Sequence, residues 1–490
     1  MSGSSFRAAL RALAATRRPA FHMPGHGHVA PAGSPLPADV YALDQSEMAG
    51  LDYLHEPTAE LAESQVRAAA VFGADRTWYL VNGATVGNLA ALWSVARPGG
   101  RVLVMRRSHQ SVHAAATLAG LEPVHLHPVP DARLQGLFGL DLDQVRHALD
   151  ETDDVVAVHV TSPDYYGYRL PLEQLAALCH AAGVPLLVDE AHGAHLSFLP
   201  GEQGALACGA DVVVQSPHKA LGSLTQSALL HLRGGRVDPD RVAEGLLMLQ
   251  SSSPSALLTL SLDAVVEGLE TDGAARWARS GALASRAAAA TGPDGLPLVS
   301  PRSPLPRGVS GTNPCKLLLD AARYGLTSAG LRDVLARHDV YPEFTDQDCV
   351  VLSITAGTTP GDVDLLLGVL GELAAAVPVA AGGADTRLAL WPDRPAERAL
   401  PGRTALQSPR AVVPLDEAAG AVVAAALTPY PPGVPLVLPG EVLSPALVRT
   451  VEGYLAAGVT VRGLVPLPDG GPGVRCVAEA AAQPPSVRTA

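Results

Sequence analysis

Aromatic side chains are scarce in this chain, 4% of 490 residues, yet 48% of the residues are hydrophobic. Ala, Leu, Gly and Pro dominate, and a chain of this length and apolar content can bury the cores of two or three globular domains. There is no tract of basic residues. The formal charge of −13 is spread along the sequence, so nucleic acid is not expected as a partner. An acidic surface mostly serves solubility and adds at most a minor pull on cations. Cysteine is sparse as well: Cys179, Cys208, Cys315, Cys349 and Cys476 are scattered, with no CxxC or other metal-ligand spacing. That pattern argues against a metal centre or a disulfide framework and for reduced thiols in a cytoplasm. The N-terminal stretch lacks a long apolar run, because Arg11, Arg17 and Arg18 interrupt its Ala/Leu residues. Neither a signal peptide nor a membrane span is expected.

What is present is an alternation. Residues 5–16 have the pattern of a short amphipathic helix, and an irregular Pro/Gly/His arm runs on to residue 57. Over 58–272, helical patterns alternate with short apolar runs such as Arg101–Met105, Asp154–Val160, Pro185–Val188 and Asp211–Val214. Uninterrupted apolar strands between helices predict an α/β domain with a mostly parallel sheet covered on both faces. Residues 273–378 predict a smaller α+β domain, 379–408 a Pro/Gly-rich linker, 409–467 a compact C-terminal subdomain, and 468–490 a frayed tail.

Two of the apolar runs end on chemistry. The run Val184–Val188 stops at Asp189, and Asp211–Gln215 stops at Ser216-Pro-His-Lys219. Open α/β sheets bind ligands at the carboxyl ends of their strands, so one pocket can hold a carboxylate and an amine. Pyridoxal phosphate (PLP) chemistry uses that pair, a lysine to bond the cofactor and an acid to face its ring nitrogen. Asn82-Gly-Ala-Thr-Val-Gly-Asn88 reads as a Gly-rich turn ahead of a helix from Leu89 to Ala96, an arrangement able to hold a phosphate.

The run from Ser216 through Lys219, Gly222 and Thr225 to Ala228 resembles the cofactor-lysine signature of bacterial Orn/Lys/Arg decarboxylases. So do Phe21–His26, Leu51–Pro57, Val81–Asn88 and Pro429–Glu441, in the family's order. The resemblance implies the type I fold of PLP enzymes, in the short form without an N-terminal wing domain. It also implies shared active sites in a homodimer or larger assembly. The activity implied is decarboxylation of a basic amino acid within polyamine biosynthesis, arginine to agmatine being favoured over lysine or ornithine. By the same resemblance Lys219 bonds PLP, Asp189 faces its ring nitrogen, and His109 stacks on the ring. Gly83, Ala84 and Thr85 grip the phosphate with Ser216 and His218, and Ser251 reaches it from a neighbouring subunit. His192 is expected near cofactor or substrate, while His195 is read as structural. Glu343, with Asp346 second, is expected to receive the substrate's side-chain cation.

Three positions depart from the family pattern: Gly27 where lysine is common, Asp164 in place of threonine, and Asn313-Pro-Cys-Lys316 in place of Asp-Pro-Thr-Lys. Two other readings share the same residues. One is a different type I reaction, such as an aminotransferase or lyase; the other is a catalytically silent PLP-binding regulator.

Overall fold

The computed structural model describes residues 5–16, 21–131, 136–290, 305–345, 349–376, 396–430 and 433–478. Asp346 and most of the expected linker lie outside them. Helix α1 (Phe6–Ala15) is capped by Ser5, whose hydroxyl accepts from Ala8 N–H at 3.2 Å, and it buries Phe6 and Leu10. The backbone N–H of Arg7 donates to buried Asp263, fastening α1 to the 35-residue helix Ala256–Ala290.

Seven strands form the central sheet: β1 (Arg76–Leu80), β2 (Arg101–Met105), β3 (Glu122–Leu126), β4 (Val155–Thr161), β5 (Leu186–Asp189), β6 (Val212–Gln215) and β7 (Ala228–Leu232). Their order is β1-β7-β6-β5-β4-β2-β3, and β7 alone runs against the rest. Alternate residues of each strand point to opposite faces. Leu103, Val158, Val188 and Val213 enter one core; Val102, Ala157, Leu187 and Val214 enter another. Burial on both faces explains why these strands read as unbroken apolar runs. Helices α2 (Glu60–Phe72), α3 (Gly83–Val95) and α4 (Gln110–Leu118) cover the sheet. The carboxyl ends of β1, β2, β4, β5 and β6 open along one edge.

Three short antiparallel strands follow: β8 (Lys316–Asp320), β9 (Phe344–Thr345) and β10 (Cys349–Ser353), in the order β8-β10-β9. Their register places Lys316 opposite Ser353. A C-terminal sheet comprises β11 (Arg410–Pro414), β12 (Thr428–Tyr430), β13 (Thr460–Arg462), β14 (Leu464–Pro466) and β15 (Pro472–Val477), packed over its own apolar core.

Two boundaries differ from those expected. The long helix Ala256–Ala290 passes through position 272 without a break, since its buried residues continue on both sides. The expected frayed tail contains β15, which pairs with both β11 and β14 and buries Val474 and Cys476. Its Gly and Pro neighbours hide that alternation in the sequence. Among the described residues no helix is long and apolar enough to cross a membrane.

Candidate active site

Lys219 follows β6 on a single helical turn, Pro217–Ala220. Proline at the first helical position turns the chain sharply and needs no N–H partner there. The lysine amine lies 2.9 Å from His192 Nε2, on the loop after β5. Solvent reaches the Lys219 side chain through the cleft, yet protein packs closely around the amine. That enclosure pulls the ammonium below its ordinary pKa, with Asp189 and Glu343 opposing and Lys316 adding to the shift. His192 is fully enclosed and is held well below its usual value by burial, then by Lys219 and Lys316. It is therefore a neutral imidazole. Its Nε2 accepts from Lys219, and its Nδ1 faces Glu343 Oε1 at 3.5 Å.

Asp189 closes β5 and is 3% exposed. Its carboxylate accepts from Asn88 Nδ2 at 2.9 Å and from Ala191 N–H at 3.0 Å. Asn88 Nδ2 also donates to Ser111 Oγ at 3.0 Å, and Ser111 Oγ meets His109 Nδ1 at 2.8 Å. A side-chain chain thus runs from Asp189 through α3 to His109 at the start of α4. Burial lowers the His109 pKa; Asp189 opposes this, while Lys219 and Arg462 reinforce it. The far side of the His109 ring meets the C-terminal subdomain. A Cβ on Gly433 would lie 3.4 Å from it, and Gln110 N–H donates to Gly433 O at 3.1 Å.

The residues expected at the phosphate gather at the start of α3. The sequence predicted a turn through Asn88, but the helix starts at Gly83, because the positive φ of that one glycine (+74°) makes the whole turn. Gly83 N–H is already used by Gln226 O at 2.8 Å. Ala84 and Thr85 lie in the first turn, where N–H groups have no preceding helical carbonyl to meet. Ser216 Oγ, just past the end of the adjacent β6, is buried without a partner among the described residues. Buried hydroxyl, first-turn N–H groups and helix dipole together fit a phosphate ester. His218 is anchored by its Nδ1 on Ser227 O at 2.7 Å. Ser251 is exposed beside the same helix start of its own chain, its N–H donating to Asn82 Oδ1 at 3.0 Å.

Glu343 was expected to receive the substrate's side-chain cation. Its carboxylate is held by Lys316 Nζ and Ser353 Oγ and leans on His192, so it is engaged close to Lys219 rather than standing free at a far end. His195 is structural, stacked on Trp277 at 4.7 Å and bonded to Asn313 Oδ1 at 3.0 Å. Two of the three family departures have local work. Asp164 accepts from the N–H groups of Tyr166 and Tyr168 and so closes its own turn. Asn313 also reaches His192 O at 3.3 Å. Gly27 sits at φ +57° with nothing near its Cβ position.

Sequence reasoning missed Asn88, Ser111 and Lys316 as parts of the site. Asn88 is the last residue of a motif already singled out, and Ser111 lies two positions after His109, so both carried a signal of proximity. Lys316 closes the Asn313–Lys316 motif and is the chain's second lysine, but only the sheet register shows that it reaches the pocket.

The family model described as Orn/Lys/Arg decarboxylase, major domain, matches residues 4–287, and that described as Orn/Lys/Arg decarboxylase, C-terminal domain, matches 401–466. An arginine decarboxylase of Bacillus anthracis is 32% identical, covering 90% of this chain and 91% of that protein. An arginine decarboxylase of Bacillus subtilis is 31% identical, covering 92% and 93%. Among solved structures, the lysine decarboxylase of Francisella novicida superposes with a TM-score of 0.80 at 18% identity, over 97% of this chain and 81% of that one. A structure of SPT with PLP gives 0.51 at 17% identity, over 65% and 77%. The fold is thus that of the type I PLP enzymes.

Proposed function

The chain belongs to the Orn/Lys/Arg decarboxylase family and is an amino-acid carboxy-lyase, and from that premise we propose that it decarboxylates a basic L-amino acid, arginine to agmatine and CO₂, in polyamine biosynthesis. The observation that carries arginine is the end-to-end match to the two Bacillus arginine decarboxylases. Lysine and ornithine are the competing substrates.

We assign PLP as the cofactor. Ala84, Thr85, Ser216 and His218 would hold its phosphate around the turn at Gly83, with Ser251 at the rim. Lys219 would bond it, Asp189 would face its ring nitrogen, and His109 would cover its face. Bound there, PLP supplies an electron-poor ring that takes up the electron pair left when the carboxylate departs. Asp189, enclosed and fixed by Asn88, favours a proton on the nitrogen it faces. His109 presents a neutral ring and places no second cation in the site. Lys219 Nζ, which has His192 Nε2 beside it, would return a proton to the substrate Cα. A homodimer or larger assembly is part of this reading. Exposed Phe21, Met23, Met48, Leu247 and Met248 support it, and sedimentation velocity reports it directly.

The test is CO₂ release from arginine, lysine and ornithine with added PLP, for the wild type and Lys219→Ala. Release from arginine that vanishes in the variant is expected. No release from any of the three, with a Lys219-dependent visible absorption band still present, would overturn the reading.

A further inference from the structure

Of 490 residues only two are lysine, Lys219 and Lys316; every other member of the 35 Lys and Arg residues is arginine. The chain meets its need for surface and structural cations with guanidinium throughout. Lysine is kept at two positions 97 residues apart in sequence, and the fold brings both to one histidine–carboxylate pair. An ammonium differs from a guanidinium in being compact and in losing its proton within reach of physiological pH when buried. Two lysines that survive such a bias, Lys316 buried and Lys219 with its amine closely packed though solvent reaches its side chain, stand in one charge chain and point to amines used as amines.

The chain runs Lys219 Nζ, His192, Glu343, Lys316 Nζ. Lys219 meets His192 Nε2 at 2.9 Å, His192 Nδ1 faces Glu343 Oε1 at 3.5 Å, and Glu343 Oε2 is held by Lys316 and Ser353. Each member comes from a different part of the fold. Lys219 follows β6, His192 follows β5, Glu343 leads into β9, and Lys316 opens β8. Tyr165 packs edge-on against the His192 ring at 5.0 Å and fixes its plane. Lys316 is 5% exposed, so it has no role in the outer surface.

We infer that His192 is the acid–base partner of the Lys219 amine and that Lys316 and Glu343 are positioning residues that set the charge and tilt of His192. In the forward step a proton passes from Lys219 Nζ to His192 Nε2: the Nζ–H bond breaks, the Nε2–H bond forms, and no electrons are exchanged. The Glu343 carboxylate steadies the imidazolium through its Nδ1–H. The reverse step returns the proton. The inference rests on Lys219 being the cofactor lysine, but its test does not require turnover. Groups facing the Lys219–His192 pair are Asp189 and Glu343 on the acid side and Lys316, His109 and His195 on the basic or neutral side. The ammonium of Lys219 already lies below its ordinary pKa, and its neighbours act with opposite signs: Glu343 raises it and Lys316 lowers it.

The experiment is amine acylation of the full-length, PLP-stripped chain as a function of pH, read on the Lys219 peptide by mass spectrometry. With two lysines in the chain the assignment is unambiguous. Lys316→Met should raise the pH midpoint of Lys219 labelling by about one unit and Glu343→Gln should lower it by about one unit. The Lys316→Met/Glu343→Gln double variant should return near the wild-type midpoint, which also shows that the fold is kept. Lys316→Arg keeps the charge but not the shape, and should fall short of wild-type behaviour. With PLP restored, the pH at which the visible absorption band changes should move in the same two directions. His192→Gln, which keeps a polar contact but cannot carry the proton, should slow cofactor recapture by Lys219 at least tenfold at neutral pH. Midpoints that stay put in both single variants, or that move in the same direction, would overturn the inference. So would an unchanged recapture rate in His192→Gln. A wild type that shows these shifts but releases no CO₂ would instead sink the decarboxylase reading alone.

Discussion

Asp189 is a carboxylate held in place by one amide. Asn88 Nδ2 is its side-chain donor, and the same nitrogen reaches Ser111 and through it His109. Removing it leaves a buried anion with the Ala191 N–H alone, at a typical cost of about 1–3 kcal/mol for a lost buried hydrogen bond to charge. Asn88→Ala should therefore lower kcat roughly tenfold to a hundredfold and weaken PLP retention, measured by steady-state kinetics and dialysis; wild-type values for both would refute the role. The residues proposed to carry the chemistry divide by how they are found. Lys219 and Asp189 were legible because a strand's end is visible along the chain. Asn88 and Lys316 stood in motifs visible along the chain, but their contacts were not legible, because their partners belong to other elements. Glu343, expected at the substrate's cation, is held by Lys316 and Ser353, a pairing that a sequence does not reveal.

At the scale of elements, α3 lies on the sheet so closely that a Cβ at Gly87 would meet Val214 Cγ1 at 2.6 Å and Leu80 Cδ1 at 2.9 Å. This glycine serves contact rather than turning, and it lets the first turn of α3 approach the end of β6. Gly87→Ala should destabilise by about 1–3 kcal/mol through overpacking. Thermal unfolding should show a lowered Tm, with Val214→Ala in the same chain restoring part of it. An unchanged Tm would mean that α3 slides away freely. The alternation of strands and helices was readable before any coordinates, because parallel strands buried on both faces must be apolar throughout. The start of α3 and the strand Pro472–Val477 were not readable, because Gly and Pro obscured the periodicity in each.

Across the whole molecule, buried titratable groups pull stability in two directions with pH. His159 and His195 are pushed down to about 4 and His231 to about 3, while His113, His125 and His192 lie well below the usual value, burial being the leading cause in each. A depressed histidine contributes stability that is present above the unfolded value near 6.5 and is lost as pH falls toward the folded value. Asp164 and Glu190 are raised by burial to about 6 and about 7. Their contribution has the opposite sense, present at low pH and lost as pH rises through those values. Between pH 6.5 and 5 the histidines outnumber the acids, and each titrating group is worth about 1.4 kcal/mol per pH unit. The urea midpoint of unfolding should fall steeply over that window. A flat or rising midpoint would show that these histidines are not buried neutral.

The contact between the C-terminal subdomain and the large domain is anchored at Arg106, which follows β2 directly. Its guanidinium donates to Pro435 O at 2.7 Å and Leu436 O at 3.0 Å and pairs with Glu441 at 3.0 Å, both side chains almost wholly enclosed. During synthesis Arg106 leaves the ribosome more than 300 residues before those acceptors. Until then the segment carrying His109 lacks these three contacts with the C-terminal subdomain. A chain interrupted before Pro435 lacks all three of these contacts, so the segment carrying His109 takes its final seat only once the C-terminal subdomain is made.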